Sequence, residues 1–271
     1  MRKHPVSGVV TTLNNAGTLE NCLASLAFCD EIVVLDSGST DATPEIAARH
    51  GARWFVEPFK GYGAQKQSAI DKARHDWILL LDADESLTDR ARATIEAELQ
   101  APRAPGYRLP RQEWLFWRWT HPGTRPNWQL RLFRKSSGGM NTVPVHAAPE
   151  VTGKALNLDA PFRHFGEPQL AVRVEKINRY SSGLVEYKSR RSPRWLGLRL
   201  MVYPTWIFLR FYFGKRYFLN GWAGFFAART QSFYVFLKYA KVLEAMRAER
   251  LRGDGARPDA AAPPRRNDPE Y

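Results

Sequence analysis

Two carboxylates stand two residues apart in Asp82-Ala83-Asp84, directly after the apolar run Trp77–Leu81. Hard divalent cations such as Mg²⁺ or Mn²⁺ take carboxylate oxygens and need few protein ligands when a diphosphate supplies the others. A cation held there would draw negative charge from a leaving nucleoside diphosphate, which is Lewis-acid catalysis. A second acidic stretch, Asp36-Ser37-Gly38-Ser39-Thr40-Asp41, follows another apolar run. Its tightly turned backbone could direct Asp36 or Asp41 toward a base or ribose hydroxyl. Between the two lies Lys60-Gly61-Tyr62-Gly63-Ala64-Gln65-Lys66, where a lysine and free backbone N–H groups could meet phosphate at a helix start. Each cluster alone also reads as a capped, solvated loop, and Lys66 alone as a surface lysine. Two acidic strand ends on one sheet carry the chemical reading.

The elements that must position these groups alternate strand and helix. Val6–Leu13, Ile32–Leu35, Ala52–Val56 and Trp77–Leu81 read as strands. The unbroken apolar run Ile32-Val33-Val34-Leu35 suits a strand covered on both faces. Thr18–Ala27, Pro44–His50, Gly63–Ala73 and Thr88–Leu99 read as helices, with Leu19, Leu23 and Leu26 at helical spacing. Asp41 or Thr43 is positioned to cap the second helix, with Pro44 in its first turn. Repeated β-α units of this length predict a mostly parallel, doubly wound sheet. Ligands bind such sheets outside the carboxyl ends of the strands. Both acidic clusters fall at those ends.

From Pro102 to Pro168 the pattern is irregular; Gln129–Arg134 reads as a strand and the remainder as loops able to cover the cleft. Helical patterning returns over Leu170–Tyr187 and beyond Arg194. The last stretch, from about Arg252, is rich in Gly, Ala, Pro, Arg and Asp and predicts disorder.

The chain has 271 residues, a formal net charge of +13 and nine tryptophans. That length buries one substantial core, so we expect a catalytic domain over 1–168, a helical extension over 169–251 and a tail over 252–271. Basic charge attracts nucleic acid, anionic lipid or phosphorylated substrate alike. No nucleic-acid motif is present. Trp195–Phe213 is apolar and aromatic but is interrupted by Arg199, Pro204 and Arg210. Central arginines are costly in a spanning helix. We read this stretch, with Tyr217–Tyr239, as helices lying in a membrane interface, with Trp195, Trp206 and Trp222 at headgroup depth. Two helices packed on the catalytic domain would produce the same pattern. Cys22 and Cys29 are the two cysteines, too few for a disulfide framework or a zinc site. Met1–Pro5 lacks an apolar leader segment, so the protein is expected to stay on the side of the membrane where it is made.

Asn14, Leu19, Cys22-Leu23, Ser25, Asp30–Val34, Asp36–Asp41, Gly63–Lys66 and Asp82–Glu85, taken together and in order, resemble family 2 glycosyltransferases. Within them the chain is most similar to the lipopolysaccharide core β-glucosyltransferase branch. The resemblance is densest from Val6 to Leu99. It continues more thinly through Leu130–Arg134, Val145-His146 and His164-Phe165. It implies a GT-A, Rossmann-like fold and transfer with inversion at the anomeric carbon. It further implies that Thr11, Asn14 and Asp36 line a nucleoside pocket with Lys66 near the donor. Asp82 and Asp84 would hold ribose and metal, with His164 completing the metal's coordination. The donor is then a nucleoside-diphosphate sugar, a UDP-sugar in particular, carrying a hexose such as glucose. The acceptor is a membrane-anchored phosphorylated glycolipid such as lipopolysaccharide core, met at the cytoplasmic face of the inner membrane, or a polyprenyl phosphate.

Two departures bear on the base that inversion requires. Where the family reads Val-His-Glu, this chain reads Val145-His146-Ala147. Where the family has an acid before the Leu-Arg-Leu-Phe strand, it has Asn127. Glu150, His146, Glu113 or Glu85 could take the missing role, or transfer could be impaired. A sugar nucleotidyltransferase is the alternative enzyme, and a membrane-associated basic binding protein with a vestigial cleft the alternative without catalysis.

Overall fold

The computed structural model describes residues 4–141, 147–166, 169–183 and 196–253. Two compact units divide at Pro168/Gln169. The first is built on strands β1 (Val6–Thr12), β2 (Glu31–Asp36), β3 (Arg53–Val56) and β4 (Trp77–Asp82), which alternate with helices α1 (Ala16–Ser25), α2 (Thr43–Arg49) and α3 (Tyr62–Asp71). These strands lie in the order β3-β2-β1-β4, all parallel. Single-residue alternation explains their unbroken apolar sequences. Val10, Val34, Leu79 and Leu81 pack to one side with Leu19, Leu23 and Ile95. Val9, Val33, Ile78 and Leu80 pack to the other with Ala69 and Ile70 of α3. Both sheet faces are therefore buried, and the period-2 signal carries no polar half.

The α/β GT-A arrangement expected from the sequence is what the structure has, with a second half more regular than anticipated. After β5 (Glu85–Leu87) and α4 (Asp89–Glu98), the segment expected to be loops around one strand at Gln129–Arg134 contributes that strand as β8 (Asn127–Arg134) and, besides it, β6 (Gly106–Leu115), β7 (Arg118–Trp119), β9 (Gly138–Met140), β10 (Pro149–Val151), β11 (Leu156–Asn157) and β12 (Phe162–His164). The sheet continues from β4 as β8-β6-β12-β5, antiparallel at β4/β8, β8/β6 and β12/β5 and parallel at β6/β12. Most of these strands are two or three residues long, too short for periodicity to show. A bulge between Tyr107 and Arg108 further breaks the alternation in β6. α4 opens on Thr88, whose hydroxyl accepts from the Ala91 N–H at 3.1 Å, a capping contact worth about 1 kcal/mol. Thr43, a possible cap in the sequence, is instead the first residue of α2.

The second unit is helical: α5 (Leu170–Gly183), α6 (Leu196–Leu209) and α7 (Gly221–Gly253). A π turn over Arg210–Gly214 and a 3-10 turn over Tyr217–Asn220 connect α6 to α7. The Ser232 hydroxyl donates to the Pro204 carbonyl at 2.8 Å and ties α7 to α6. Lys241 Nζ donates to the Asn178 carbonyl and the Ser182 hydroxyl, each at 2.7 Å, placing a cation at the carboxyl end of α5 where helix dipoles favour it. Gly224 is required by a close approach: a Cβ there would fall 1.9 Å from the Tyr217 carbonyl. The helix expected over Tyr217–Tyr239 thus starts later and runs further, through Gly253. Trp195 and the tail beyond Gly253 lie outside the described residues.

Candidate active site

Register brings the two acidic strand ends to either side of β1. Thr12 pairs with Asp36 of β2, and Thr11 pairs with Asp82 of β4. Because these strands run parallel, their carboxyl ends open on one edge of the sheet. Both Asp36 and Asp82 arrive there through β1.

On the Asp36 side the carboxylate organises a loop. Asp36 is buried; its Oδ2 accepts from the Gly38 and Ser39 N–H groups at 2.9 and 2.6 Å, and its Oδ1 from the Ser39 hydroxyl at 2.5 Å. Gly38 sits at φ 102°, a conformation a side chain would strain. Asn14, itself at φ 52°, accepts from the Thr40 N–H at 2.8 Å and donates its own N–H to the Ser39 hydroxyl at 2.8 Å. Asp41 accepts from the Ala16 N–H, the second residue position past Asn14, at 3.0 Å and from Thr43 N–H at 3.1 Å. Asn14 and Asp41 therefore pin the Ser37–Asp41 loop to the start of α1. Hydrogen bonds, led by that from Thr43, hold the Asp41 carboxyl below the usual carboxylate range.

The Asp82 side is an ion-pair network. Lys66 of α3 pairs with Asp82 Oδ1, and Arg131 Nη2 lies 3.5 Å from Oδ2. Burial opposes the charged carboxylate, but Lys66 and Arg131 outweigh it and hold Asp82 at about 2. The same Arg131 donates to Glu85 Oε1 at 2.5 Å. Glu85 is fully buried, and burial raises its carboxyl above the usual range despite that partner. Arg131 stacks over the Phe162 ring at 5.3 Å and is itself buried. This arginine has no assigned role in the sequence reading. Its signal was available: a lone cation inside the buried run Leu130–Phe133 requires a buried partner.

A second chain of contacts begins at Asp84. Its Oδ2 lies 3.3 Å from His164 Nε2, and its carbonyl accepts from the Phe165 N–H at 2.9 Å. His164 Nδ1 lies 2.7 Å from Glu113 Oε2, and Glu113 Oε1 takes Arg111 Nη2 at 2.5 Å. The β12 register places His164 opposite both Glu85 and Glu113. Burial lowers the imidazole's proton affinity, but the hydrogen bonds it donates to the Asp84 and Glu113 carboxylates overcome it and lift His164 to about 9. Among the described residues no three His, Cys, Asp or Glu side chains form a ready-made metal cage. Asp84 and His164 face each other, whereas Asp82 is taken up by cations.

Of the expected site residues, Thr11, Asn14, Asp36, Asp41, Lys66, Asp82, Asp84 and His164 all gather along this edge. Glu150 sits on β10, exposed, accepting from the Asn141 amide at 2.8 Å. His146 lies outside the described residues.

Residues 7–166 match the family described as Glycosyl transferase family 2. The chain is 31% identical over 252 residues to the lipopolysaccharide core biosynthesis glycosyltransferase LpsC of Rhizobium meliloti (strain 1021), covering 89% of this chain and 93% of that protein. It is 28% identical over 255 residues to an uncharacterized glycosyltransferase of Rickettsia felis, covering 89% and 90%. The crystal structure of S. aureus TarS 1-349 in complex with UDP is similar at a TM-score of 0.46 and 15% identity, covering 88% of this chain and 91% of that one. With the family pattern spanning the whole sheet that carries Asp36, Asp82, Asp84 and His164, the chain belongs to glycosyl transferase family 2.

Proposed function

We propose that this enzyme moves a hexose from a UDP-sugar to a phosphorylated glycan anchored in a membrane, with a divalent cation, Mg²⁺ or Mn²⁺, at Asp84 and His164. The observation that carries the donor half is the flanking of β1 by Asp36 and Asp82. Thr11, Asn14 and Asp36 would line the nucleoside pocket, with Asp41 bracing the loop and Asp82 toward the ribose. Lys66 is within reach of phosphate from α3.

The donor set suits a cation. Asp84 offers an oxygen and His164 offers Nε2, 3.3 Å apart, while Glu113 secures Nδ1, the outer-shell arrangement that orients a histidine ligand. Asp82 would join once Lys66 turns to the diphosphate. What the cation supplies is charge withdrawal from the leaving nucleoside diphosphate. Lys66 and Arg131 add fixed positive charge on the same edge.

For the proton from the acceptor hydroxyl we propose Glu150 or His146. Glu85 is fully buried and paired to Arg131, and Glu113 is committed to His164 and Arg111; neither presents a free oxygen to a substrate. Glu150 is exposed and lies three residues past Ala147. Ala147 in turn adjoins the start of the Lys66 helix, since a Cβ on Gly63 would fall 2.7 Å from its methyl.

The membrane half rests on the second unit. Trp206, Phe213 and Trp222 are more than half exposed and share α6, α7 and their connection with Arg210, Lys215 and Arg216. Such aromatic and basic surfaces favour anionic headgroups. No described helix is long and apolar enough to cross a membrane. On the strength of that aromatic and basic surface, the proposed position is peripheral, on the cytoplasmic face of the inner membrane. Incubating the enzyme and acceptor-bearing membranes with a panel of labelled sugar nucleotides tests it. Label from a UDP-hexose should enter the lipid fraction, and label entering only a soluble fraction would defeat the membrane-borne acceptor.

A further inference from the structure

The outward face of α6 runs against the rule for a helix packed on one side. At 3.6 residues per turn, Leu196, Pro204 and Ile207 lie on one side of it and are buried. Leu198, Met201, Val202, Trp206 and Leu209 share the opposite side, and all five are exposed, Met201 by 79%. A surface helix ordinarily turns charged and polar groups to water. Here the exposed face is as apolar as the buried one, and folding alone does not account for it.

The patch continues through the connection into α7. Phe213 packs on Tyr212 and Phe218, with centroids 5.1 and 6.4 Å apart, and Tyr212 packs on Phe225 at 6.0 Å. Phe225 in turn meets Trp222 at 5.8 Å. Trp222 is 70% exposed, and Phe213 and Phe218 are exposed with it. The rings therefore brace one another into a continuous surface.

The rest of this chain, a second copy or a lipid surface could cover such a patch, and charge decides among them. From Tyr187 to Leu243 the sequence contains eleven Lys or Arg and no Asp or Glu. Arg199 and Arg210 accompany the α6 face and Arg216 follows in the connection, all three exposed. A second copy seated face to face would set these cations against their equivalents with no acid between them, an arrangement that like charges oppose. Residues 254–271 offer Tyr271 as their one large apolar side chain, and residues 184–195 add Lys188, Arg190, Arg191 and Arg194 to the same sign of charge. Anionic phospholipid supplies what the patch lacks, phosphate for the cations and acyl chain for the apolar groups. α6 has 14 residues, about 21 Å at 1.5 Å per residue, against a hydrocarbon layer of roughly 30 Å. A basic, aromatic helix of that length lies in the interface plane.

We infer that α6 is an in-plane docking helix for anionic phospholipid: Leu198, Met201, Val202, Trp206 and Leu209 enter the acyl boundary while Arg199, Arg210 and Arg216 hold headgroup phosphates. This rests on the membrane half of the proposed function and deepens it by making the partner the bulk phospholipid, bound with or without acceptor.

The probe is acceptor-free vesicles, of phosphatidylcholine alone or mixed equally with phosphatidylglycerol, sedimented with the full-length wild type, the double variant Met201→Gln/Trp206→Gln, Trp206→Phe and Arg210→Gln. The mixed vesicles should bind wild type at least tenfold more tightly than the neutral ones. The double variant should lose at least tenfold on the mixed vesicles and Arg210→Gln about fivefold, while Trp206→Phe should bind as wild type does. Circular dichroism should be the same in all four, and Arg210→Gln with the two vesicle types decides even where the double variant misfolds. Equal partitioning of wild type onto both vesicle types, or an undiminished double variant, would overturn the docking helix. So would a lipid-free dimer in light scattering that the double variant breaks, which would seat a second copy on the face. Wild type that binds mixed vesicles yet moves no label into acceptor-bearing membranes would remove the proposed transfer and leave the docking helix standing. Label entering those membranes from a wild type that binds neither vesicle would do the reverse.

Discussion

Asp84 and His164, 80 positions apart in sequence, meet at 3.3 Å because β12 closes against β5 and β6 at the edge of the sheet. The aspartate comes from the turn after β4 and the histidine from a three-residue strand. Glu113 holds the His164 ring from behind at Nδ1, and a cation reaching Nε2 would displace the proton that Asp84 and Glu113 help the ring to keep.

The partner behind His164 is Glu113, and it should matter for metal more than for folding. Replacing a carboxylate that orients a ligating histidine lowers metal affinity by about 10–100-fold. Glu113→Gln should show that loss in Mn²⁺ titrations followed by electron paramagnetic resonance, with a circular dichroism spectrum like the wild type's. Unchanged Mn²⁺ affinity would remove Glu113 from this role.

Arg131 should be the residue whose loss most damages folding. Arg131→Met leaves Glu85 buried with the Asp82 N–H but without its cation and should cost about 3–5 kcal/mol. Exchanging both, Arg131→Met with Glu85→Leu, should recover most of it, because an apolar pair of similar volume replaces the ions. Urea unfolding of the two single variants and the double decides the matter. Additive losses would mean that the pair is not coupled.

These two predictions mark where the sequence could and could not be read. The strands ending at Asp36 and Asp82 announce themselves as apolar runs closed by turn residues, and their parallel order follows from the helices between them. The Arg131–Glu85 and His164–Glu113 pairs follow from registers among β5, β6, β8 and β12. Those registers are fixed by long-range packing around Tyr107, Phe133 and Phe162, and strands of two or three residues leave no periodic trace of it. Arg131 was visible as an anomaly without a partner. The base was least legible, since Ala147 removes the expected carboxylate and no local pattern names its replacement.

Cys22 should be inert in the folded protein. Burial, with the negative field of Glu85 and Asp82, pushes its thiol well above the usual range, and Sγ lies 3.5 Å from the Asp82 carbonyl. Only the thiolate reacts. Iodoacetamide at pH 8 should leave Cys22 unmodified by mass spectrometry in native protein and label it in urea. Prompt native labelling would show that the sheet edge around Asp82 opens far more readily than its packing implies.

At the start of α4, Thr88→Ala should cost about 1 kcal/mol through loss of the contact to the Ala91 N–H. Thr88→Ser should restore it. The midpoint of thermal unfolding reads both, and equal destabilisation by the two variants would point to packing of the lost methyl instead.

The proposed transfer requires a nucleoside diphosphate to meet a cation at Asp84. Calorimetric titration of UDP into the protein with Mn²⁺, with EDTA, and into Asp84→Ala with Mn²⁺ tests it most directly. Strong binding should appear only in the first case, with the other two weakened alike. Equal UDP affinity across all three would contradict it.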